Sequence, residues 1–270
     1  MKKNKYLIQP NVHNSNLTHT VEGIDEKRQK ITTKVIHEKP LTIFLNSHEI
    51  VTLMSIGDHP NYLAIGYLLN QNMIKIKEKI KKIEYQKDLE TIIIRTNKRT
   101  NYEKKLRKKI TTSGCAQGTI FGDIYEEIEK IKLDSKIKIK HNWIYELSKK
   151  ITLTPSLYLE AGAVHGCVLC KKNKPLIYME DVGRHNAVDK IAGYMFINNI
   201  IADDKIFYTT GRLTSEMIIK TVKMGVPILI SRSGFTAWGV ELAQKTNLTL
   251  IGRAKGKRYT VLSGKQRLIT

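Results

Sequence analysis

The chain has 270 residues, 41% of them hydrophobic, which suits one large domain or a domain with a small appendage and excludes wholesale disorder. Lys and Arg outnumber Asp and Glu by 46 to 25, and the formal net charge of +21 favours anionic partners. Three cysteines are too few for a disulfide framework. No run approaches the ~18 apolar residues of a membrane span, and the N-terminus lacks a signal-peptide core. These features predict a soluble cytoplasmic protein with no membrane partner.

Shifts in composition divide the chain into four parts. We predict a flexible N-terminal arm at 1–32, a strand-rich part at 33–110, a cysteine loop with a connecting helix at 111–140, and an α/β domain at 141–270. The arm is polar and shows no periodicity, so we expect it to be loosely held.

The strand-rich part contains two predicted strand pairs. Apolar, β-prone runs at 40–46 and 49–56 predict a hairpin, and two alternating runs joined around Asp88 predict a second pair. Residues 62–69 predict a short buried helix between the pairs, which Asp58 could cap.

The α/β domain shows helices alternating with strands. The predicted helices lie at 143–151, 156–169, 184–197, 215–224 and 237–245. The predicted strands lie at 175–181, 205–210, 226–232, 248–253 and 258–263. This alternation indicates right-handed crossovers and a largely parallel central sheet.

Cys115 lies in a stretch of small and hydroxylated residues, TTSGCAQG at 111–118. The preceding segment, 98–109, carries seven Lys and Arg residues opposed only by Glu103. Positive surroundings bias a thiol toward the thiolate, the form that attacks sulfur. The residues alone leave two interpretations open: a reactive thiol, or an ordinary loop that contains a cysteine.

Three arginines follow successive elements of the predicted sheet. Arg184, Arg212 and Arg232 each fall in a loop after a strand, with Ser215 or Ser233 nearby. Ligands of open α/β sheets bind at such strand ends, and arginines and helix N-termini suit phosphate. A basic turn, RAKGKR, follows between the last two strands and consists of Arg253, Ala254, Lys255, Gly256, Lys257 and Arg258. Together these residues predict an anion site suited to a nucleotide or pyrophosphate.

Two other clusters invite a chemical interpretation. His185 and Asp189 are one helical turn apart and could form a hydrogen bond, while Asp181 could act as an acid or cap the next helix. We favour a structural role for His185 and Asp189, and both roles stay open for Asp181. Cys167 and Cys170 form a C-x-x-C beside His165, but no second ligand pair exists for zinc. We therefore expect both cysteines to be small apolar residues on a packed helix, and no metal site.

The second half resembles a known family, the formate dehydrogenase accessory sulfur carriers (FdhD). The resemblance extends over about residues 34–265. It rests on EKPLTIFLN and YLAIGYLL in the first half, and on EDVGRHNAVDK, TTGRLTSEM, VPILISRSGFTAWGVELA and LIGRAKGKRYTVLSG in the second. AGAVHGC is similar to the family's GGTHAA element, with His165 at its histidine.

The resemblance implies a cytidine-deaminase-like three-layer α/β fold with a smaller strand-rich N-terminal part, usually as a homodimer. It implies that Cys115 accepts sulfur as a persulfide from a cysteine desulfurase. The sulfur then passes to the molybdenum bis(molybdopterin guanine dinucleotide) cofactor, a bound substrate, before the cofactor enters formate dehydrogenase. Residues 253–258 match the family's cofactor-binding turn, and a guanine nucleotide would serve as a mimic of the cofactor.

The chain departs from the family pattern at two positions. Gly118 stands where the family commonly has a second loop cysteine, so the expected route uses one cysteine. Cys167 stands at the glutamate position of the deaminases, so zinc-dependent deamination is not expected. Two alternatives stay open: a cofactor- or nucleotide-binding maturation chaperone without sulfur chemistry, and a basic nucleic-acid-binding protein. The chain lacks the stacking aromatics that would support the latter.

Overall fold

The N-terminal region contains a two-stranded ribbon. The structure, a computed structural model, describes residues 6–97, 109–111, 119–121, 124 and 127–269. Strands β1 (Thr18–Ile24) and β2 (Lys30–Ile36) pair antiparallel, and Ile8 forms a bridge to Ile177 of the main domain. The prediction of an arm without regular structure over 1–32 is therefore wrong for β1. Most side chains of the ribbon are exposed, so no buried face imposes the alternation from which a strand is recognised.

A four-stranded sheet follows the ribbon and confirms both predicted strand pairs. Its strands are β3 (Lys39–Leu45), β4 (His48–Ser55), β5 (Ile80–Gln86) and β6 (Thr91–Thr96), in the order β4-β3-β6-β5. Helix α1 (Pro60–Asn70) covers one face, as predicted for 62–69. Asp58 does not cap this helix, because its carboxylate instead pairs with Lys190.

Two short strand pairs connect this sheet to the main domain. Strands β7 (Lys109–Thr111) and β8 (Thr119–Phe121) are antiparallel and flank the predicted cysteine loop. Strand β9 (Ile139–Lys140) pairs with the C-terminal strand β16 (Leu268–Ile269), which holds the chain end against the connecting segment.

The main domain is a six-stranded sheet with helices on both faces. Its strands are β10 (His165–Lys171), β11 (Lys174–Asp181), β12 (Ile206–Thr209), β13 (Ile228–Ser231), β14 (Thr249–Lys255) and β15 (Arg258–Ser263), in the order β11-β10-β12-β13-β14-β15. The helices are α2 (His141–Thr152), α3 (Leu157–Ala161), α4 (Arg184–Ile197), α5 (Ser215–Lys223) and α6 (Ala237–Lys245). One face packs against α2 and the other against α4, α5 and α6.

The central sheet is mixed, which corrects the predicted largely parallel sheet. Only the β12–β13 and β13–β14 pairs are parallel, while β10 runs antiparallel to both β11 and β12. The difference comes from β10, a strand that lies within the predicted helix at 156–169. A strand that is buried on both faces appears in the sequence as a continuous apolar run, and periodicity cannot distinguish such a run from a buried helix. Only α3 within that range is helical.

Helices α1 and α4 join the two sheets through two glycines. A Cβ atom at Gly66 would collide with the backbone carbonyl of Asp189, and one at Gly193 would collide with that of Tyr62. The helix backbones therefore touch at a distance that only glycine allows. Within the described residues, no helix is both long and apolar enough to cross a lipid bilayer.

Candidate functional site

Polar residues from four strands of the central sheet meet at one edge. The antiparallel register places His165 opposite Asp181 and Cys167 opposite Thr209, and the parallel register places Thr209 opposite Ser231. The start of β10 therefore lies beside the carboxyl ends of β11, β12 and β13. We call this the polar edge: His165, Asp181, Thr209, Ser231 and the loops that follow the last three.

Hydrogen bonds hold the loops after β12 and β13 together. The Gly211 N–H donates to Thr209 Oγ1 at 3.1 Å, and Ser231 Oγ donates to the Gly211 carbonyl at 2.6 Å. Arg212 follows the first of these contacts and Arg232 the second. The two arginines predicted from separate strand ends therefore stand in adjacent, tied loops.

Arg184 lies beneath these loops, at the first position of α4. Its side chain is buried, and its Nη2 atom is 4.0 Å from Glu216 Oε2. The same carboxylate is 2.6 Å from His185 Nε2. Burial lowers the pKa of His185, although the bond to Glu216 opposes this effect. A Cβ at Gly211 would lie 3.0 Å from the Arg184 side chain, so the glycine lets the loop pass close over it.

His165 experiences the combined charge of the arginines. Burial is the largest cause that lowers its pKa, followed by the positive charges of Arg184, His185, Arg212 and Arg232. Its Nδ1 atom lies 3.4 Å from Thr210 Oγ1, which also accepts a bond from the Gly166 N–H at 3.0 Å. Three arginines close enough to lower the pKa of His165 make this part of the edge electropositive, which would stabilise an anion.

An aromatic residue that sequence reasoning missed completes this part of the edge. The Arg232 guanidinium lies over the Tyr158 ring, 4.8 Å from its centre. Tyr158 belongs to the short helix α3, whose first N–H groups at Leu157 and Tyr158 donate to the Glu180 carboxylate at 2.7 and 3.3 Å. Burial raises the pKa of Glu180 to about 7, against the effect of these bonds. Glu180 therefore positions Tyr158, and through it Arg232.

The basic turn extends the polar edge at β14. The Arg253 N–H donates to the Ser233 carbonyl at 2.8 Å, which ties the turn to the loop that follows Arg232. Arg253 has a φ of 53°, and the β14–β15 register shifts between Gly252 and Lys255. Ala254 is buried, whereas the other residues of the turn, Arg253, Lys255, Gly256, Lys257 and Arg258, are exposed. The positions of the predicted anion-site residues are thus found, while their ligand stays a prediction.

The predicted acid/base cluster serves the fold. Asp181 is fully buried, accepts a bond from Ser55 Oγ at 2.7 Å and lies 2.5 Å from Lys190 Nζ. Burial alone would lower the pKa of Lys190, but the Asp181 and Asp58 carboxylates raise it above its ordinary value. Asp181 also accepts the Gly183 N–H at 3.2 Å, in the turn before α4, although no side chain caps the helix at its N-cap residue. The network joins the two sheets.

The predicted His185–Asp189 hydrogen bond is wrong. Asp189 accepts bonds from Asn70 of α1 and Lys220 of α5, each at 2.6 Å, while His185 pairs with Glu216. His185 and Asp189 lie one helical turn apart on α4, but each binds partners on other helices instead of the other. Glu216 was not identified from the sequence, because no residue close to it along the chain suggested a partner for its carboxylate.

Cys167 and Cys170 are buried, as predicted, but lie on strand β10 rather than a helix. Cys167 packs with the core under α4, and Cys170 with the core under α2, so their thiols lie on opposite faces of the sheet. Burial raises the pKa of Cys167 to about 12 and that of Cys170 further. Both thiols are therefore protonated and shielded. No group of three His, Cys, Asp or Glu side chains within the described ranges could hold a metal ion.

Cys115, the predicted sulfur-carrying residue, lies outside the described residues. Its flanks are described: Thr111 pairs with Thr119 at the end of the β7–β8 ladder. The strand pair therefore places Thr111 and Thr119 opposite each other. The role of Cys115 stays a prediction at this point.

Comparison with known proteins identifies the family of the chain. Residues 36–269 match the model of the FdhD/NarQ family, and the chain belongs to this family. It is 31% identical to the sulfur carrier protein FdhD of Bacillus pumilus over 88% of this chain and 91% of that protein. It is 30% identical to the sulfur carrier protein FdhD of Bacillus subtilis over 88% and 92%.

A solved structure shares the architecture. The crystal structure of a protein from Desulfotalea psychrophila, described as a formate dehydrogenase accessory protein, matches with a TM-score of 0.76 and 26% identity. The match covers 93% of this chain and 98% of that one. The resemblance found from sequence motifs is confirmed, together with the mixed α/β fold.

Proposed function

We propose that this chain is a sulfur carrier for the maturation of formate dehydrogenase, acting in the cytoplasm as a homodimer. The observation that carries the proposal is the cluster of His165, Arg184, Arg212 and Arg232 at the polar edge of a chain that belongs to the FdhD/NarQ family. Relatives of that family are named sulfur carriers. The helix layers on both faces of the mixed sheet support a cytidine-deaminase-like arrangement for the main domain.

The polar edge would bind the molybdenum bis(molybdopterin guanine dinucleotide) cofactor as a substrate. The cofactor carries pyrophosphates, which suit arginine forks and the helix N-termini of α4, α5 and α6 at this edge. Arg212, Arg232 and the basic turn at 253–258 present exposed or half-buried cations to it. Arg184 lies deeper and raises the positive potential around those groups, and the half-buried His165 lies within reach of the same charge.

Cys115 would carry the sulfur alone. In the first step, its thiolate attacks the outer sulfur of a persulfide on a cysteine desulfurase. A new S–S bond forms at Cys115, the donor's S–S bond breaks, and the desulfurase cysteine leaves as a thiolate. In the second step, the acceptor supplies an electron pair to the outer sulfur, and Cys115 leaves as a thiolate. The seven Lys and Arg residues of the 98–109 segment favour the thiolate form in both steps.

The buried cysteines support this single-thiol route. Cys167 and Cys170 are protonated and fully buried on opposite faces of the sheet, so neither can stand in for the loop cysteine that Gly118 replaces. A disulfide relay has no second accessible thiol in the described part of the chain.

Formate dehydrogenase activity in cells that depend on this chain tests the proposal. Cys115→Ser should abolish activity while the protein accumulates at wild-type level, whereas Cys170→Ala should retain it. Normal activity from Cys115→Ser would contradict sulfur transfer and leave a binding chaperone as the remaining function.

A further inference from the structure

A groove with basic margins lies away from the polar edge, between β5 and the C-terminal end of α4. Its volume is about 620 Å³. Ile76, Phe196 and Ile197 supply apolar surface, and the exposed fractions of Ile76 and Ile197 are 71% and 38%. Apolar side chains of this size at a groove are candidates for contact with another molecule.

Lysines line one side of the same groove. Lys77, Lys79, Lys81 and Lys82 all border it and are exposed. Lys82 lies 3.6 Å from Glu84, whereas the other three form no ion pair with any residue that the structure describes. Glu78 is the one acidic residue of the lining, and its carboxylate accepts a bond from the Lys75 N–H at 3.3 Å. The groove therefore has a strong excess of positive charge.

Strand β5 is the outer strand of its sheet in the described part of the chain. Its partner on one side is β6, and the order β4-β3-β6-β5 places no described strand on the other. Alternate backbone groups of such a strand point away from the sheet and can pair with an added strand. Lysines on an edge strand also prevent two copies of a protein from pairing there, because like charges would meet.

We propose that this groove binds an extended acidic peptide segment of a partner protein. The lysines attract its carboxylates, β5 offers backbone hydrogen bonds, and the apolar surface receives side chains of one face of the added strand. A second copy of this chain is disfavoured, since it would bring the same lysines together. The chain's own 98–109 segment is also basic and gives no charge complementarity.

The groove is far enough from the polar edge that a partner bound in it would leave the polar edge accessible. Arg184 begins α4 at the polar edge and Ile197 ends it at the groove, so about 20 Å of helix separates the two. A partner anchored at the groove would not cover the anion-binding residues. The inference does not depend on sulfur transfer and can fail or succeed separately from it.

Fluorescence anisotropy with two labelled peptides tests the proposal. One peptide alternates Glu with Val, and the other alternates Glu with Ser, so that both carry the same charge. The Glu–Val peptide should bind more tightly, and its affinity should fall as salt is raised. Equal affinities, or no binding at low salt, would overturn the proposed groove.

Matched variants locate the binding. Lys79→Glu/Lys81→Glu should weaken Glu–Val peptide binding by about tenfold or more. Lys172→Glu/Lys174→Glu changes the net charge equally at the exposed β10–β11 turn, and it should leave binding within about twofold of wild type. Ile76→Ser should reduce the preference for the Glu–Val peptide without a change in net charge.

The remaining outcomes are also decisive. Equal losses in the two charge-reversal variants would mean that net charge alone attracts the peptide, which contradicts a groove. A dimer in size-exclusion chromatography that dissociates in Lys79→Glu/Lys81→Glu would assign the groove to a second copy and contradict an acidic partner. Persulfide loading of Cys115 should be unchanged in every groove variant.

Discussion

The two halves of the polar edge differ in how their charges are balanced. At the end of β11, carboxylates have cationic partners: Asp181 and Asp58 share Lys190, and Asp189, on α4, pairs with Lys220. At the ends of β12, β13 and β14, Arg212, Arg232 and Arg253 lie in loops that are tied together, next to the buried Arg184, and Glu216 is the carboxylate observed near Arg184. In the first half every one of these carboxylates has a lysine partner, whereas in the second the arginines outnumber the carboxylate.

The difference separates a structural network from the proposed binding site. The Asp181 network joins β4, the loop before α1, and α4, so its interactions hold one sheet against the other. The arginine half keeps an unbalanced positive field, which an anionic ligand would neutralise. Removal of a charge should therefore lower mainly the stability of the fold in the first half, and mainly the affinity for an anionic ligand in the second.

Substitution of Lys190 should give the largest effect. Lys190→Met leaves the buried Asp181 carboxylate without its cation, which should lower the free energy of unfolding by about 3–5 kcal/mol. Urea denaturation measures this change. Lys190→Met/Asp181→Asn should recover part of the loss, and Lys172→Met, at an exposed turn, should change little. A loss under about 1 kcal/mol for Lys190→Met would contradict a structural network.

Substitution in the arginine half should weaken ligand binding. Arg212→Gln and Arg232→Gln should each reduce the affinity for a guanine nucleotide by about tenfold, since each removes a charged hydrogen-bond donor. Isothermal titration calorimetry at fixed salt measures the affinity, and urea denaturation should show a near-normal fold. Unchanged affinity in both variants would remove these arginines from the site.

Removal of the carboxylate in the arginine half should act in the opposite direction. Glu216→Gln deletes the negative charge beside Arg184 and His185, so the nucleotide should bind a few-fold more tightly. The variant should also lose some stability, because the 2.6 Å contact of His185 with a carboxylate becomes a weaker contact with a neutral amide. Weaker binding in a folded Glu216→Gln variant would show that this carboxylate contacts the ligand.

The pH dependence should give the smallest effect. Burial and the arginine charges hold the pKa of His165 below its ordinary value of 6.5, so the ring is neutral at pH 7. An anion favours the imidazolium, so nucleotide affinity should rise as pH falls toward this lowered pKa. NMR titration should place the midpoint of His165 below 6.5 in the free protein and higher with nucleotide. A midpoint that nucleotide leaves unchanged would place the anion elsewhere.

Much of the second half could be predicted from sequence, because local signals agree with the fold there. Helix α4 begins at Arg184 and ends at Ile197, and α6 spans Ala237–Lys245, both as predicted. Strand β10 was mistaken for helix, since a strand buried on both faces lacks alternation. Its antiparallel pairing with β12 depends on residues 36 to 42 positions away and has no local signal.

The site was predictable in position and less so in its contacts. The placement of Arg212 and Arg232 at strand ends follows from topology alone, because parallel strands end at the same edge. The partners Glu216, Glu180 and Tyr158 come from other elements, which spacing along the chain does not reveal. Asp189 illustrates the same point, since its partners are Asn70 and Lys220 rather than the nearby His185.

Mass spectrometry of the intact protein tests sulfur transfer most directly. After incubation with a cysteine desulfurase and cysteine, the wild type should gain one sulfur, and peptide mapping should place it on Cys115. Cys167→Ala/Cys170→Ala should gain the same sulfur, and Cys115→Ser should gain none. A sulfur found on Cys167 or Cys170, or none on the folded wild type, would contradict the account.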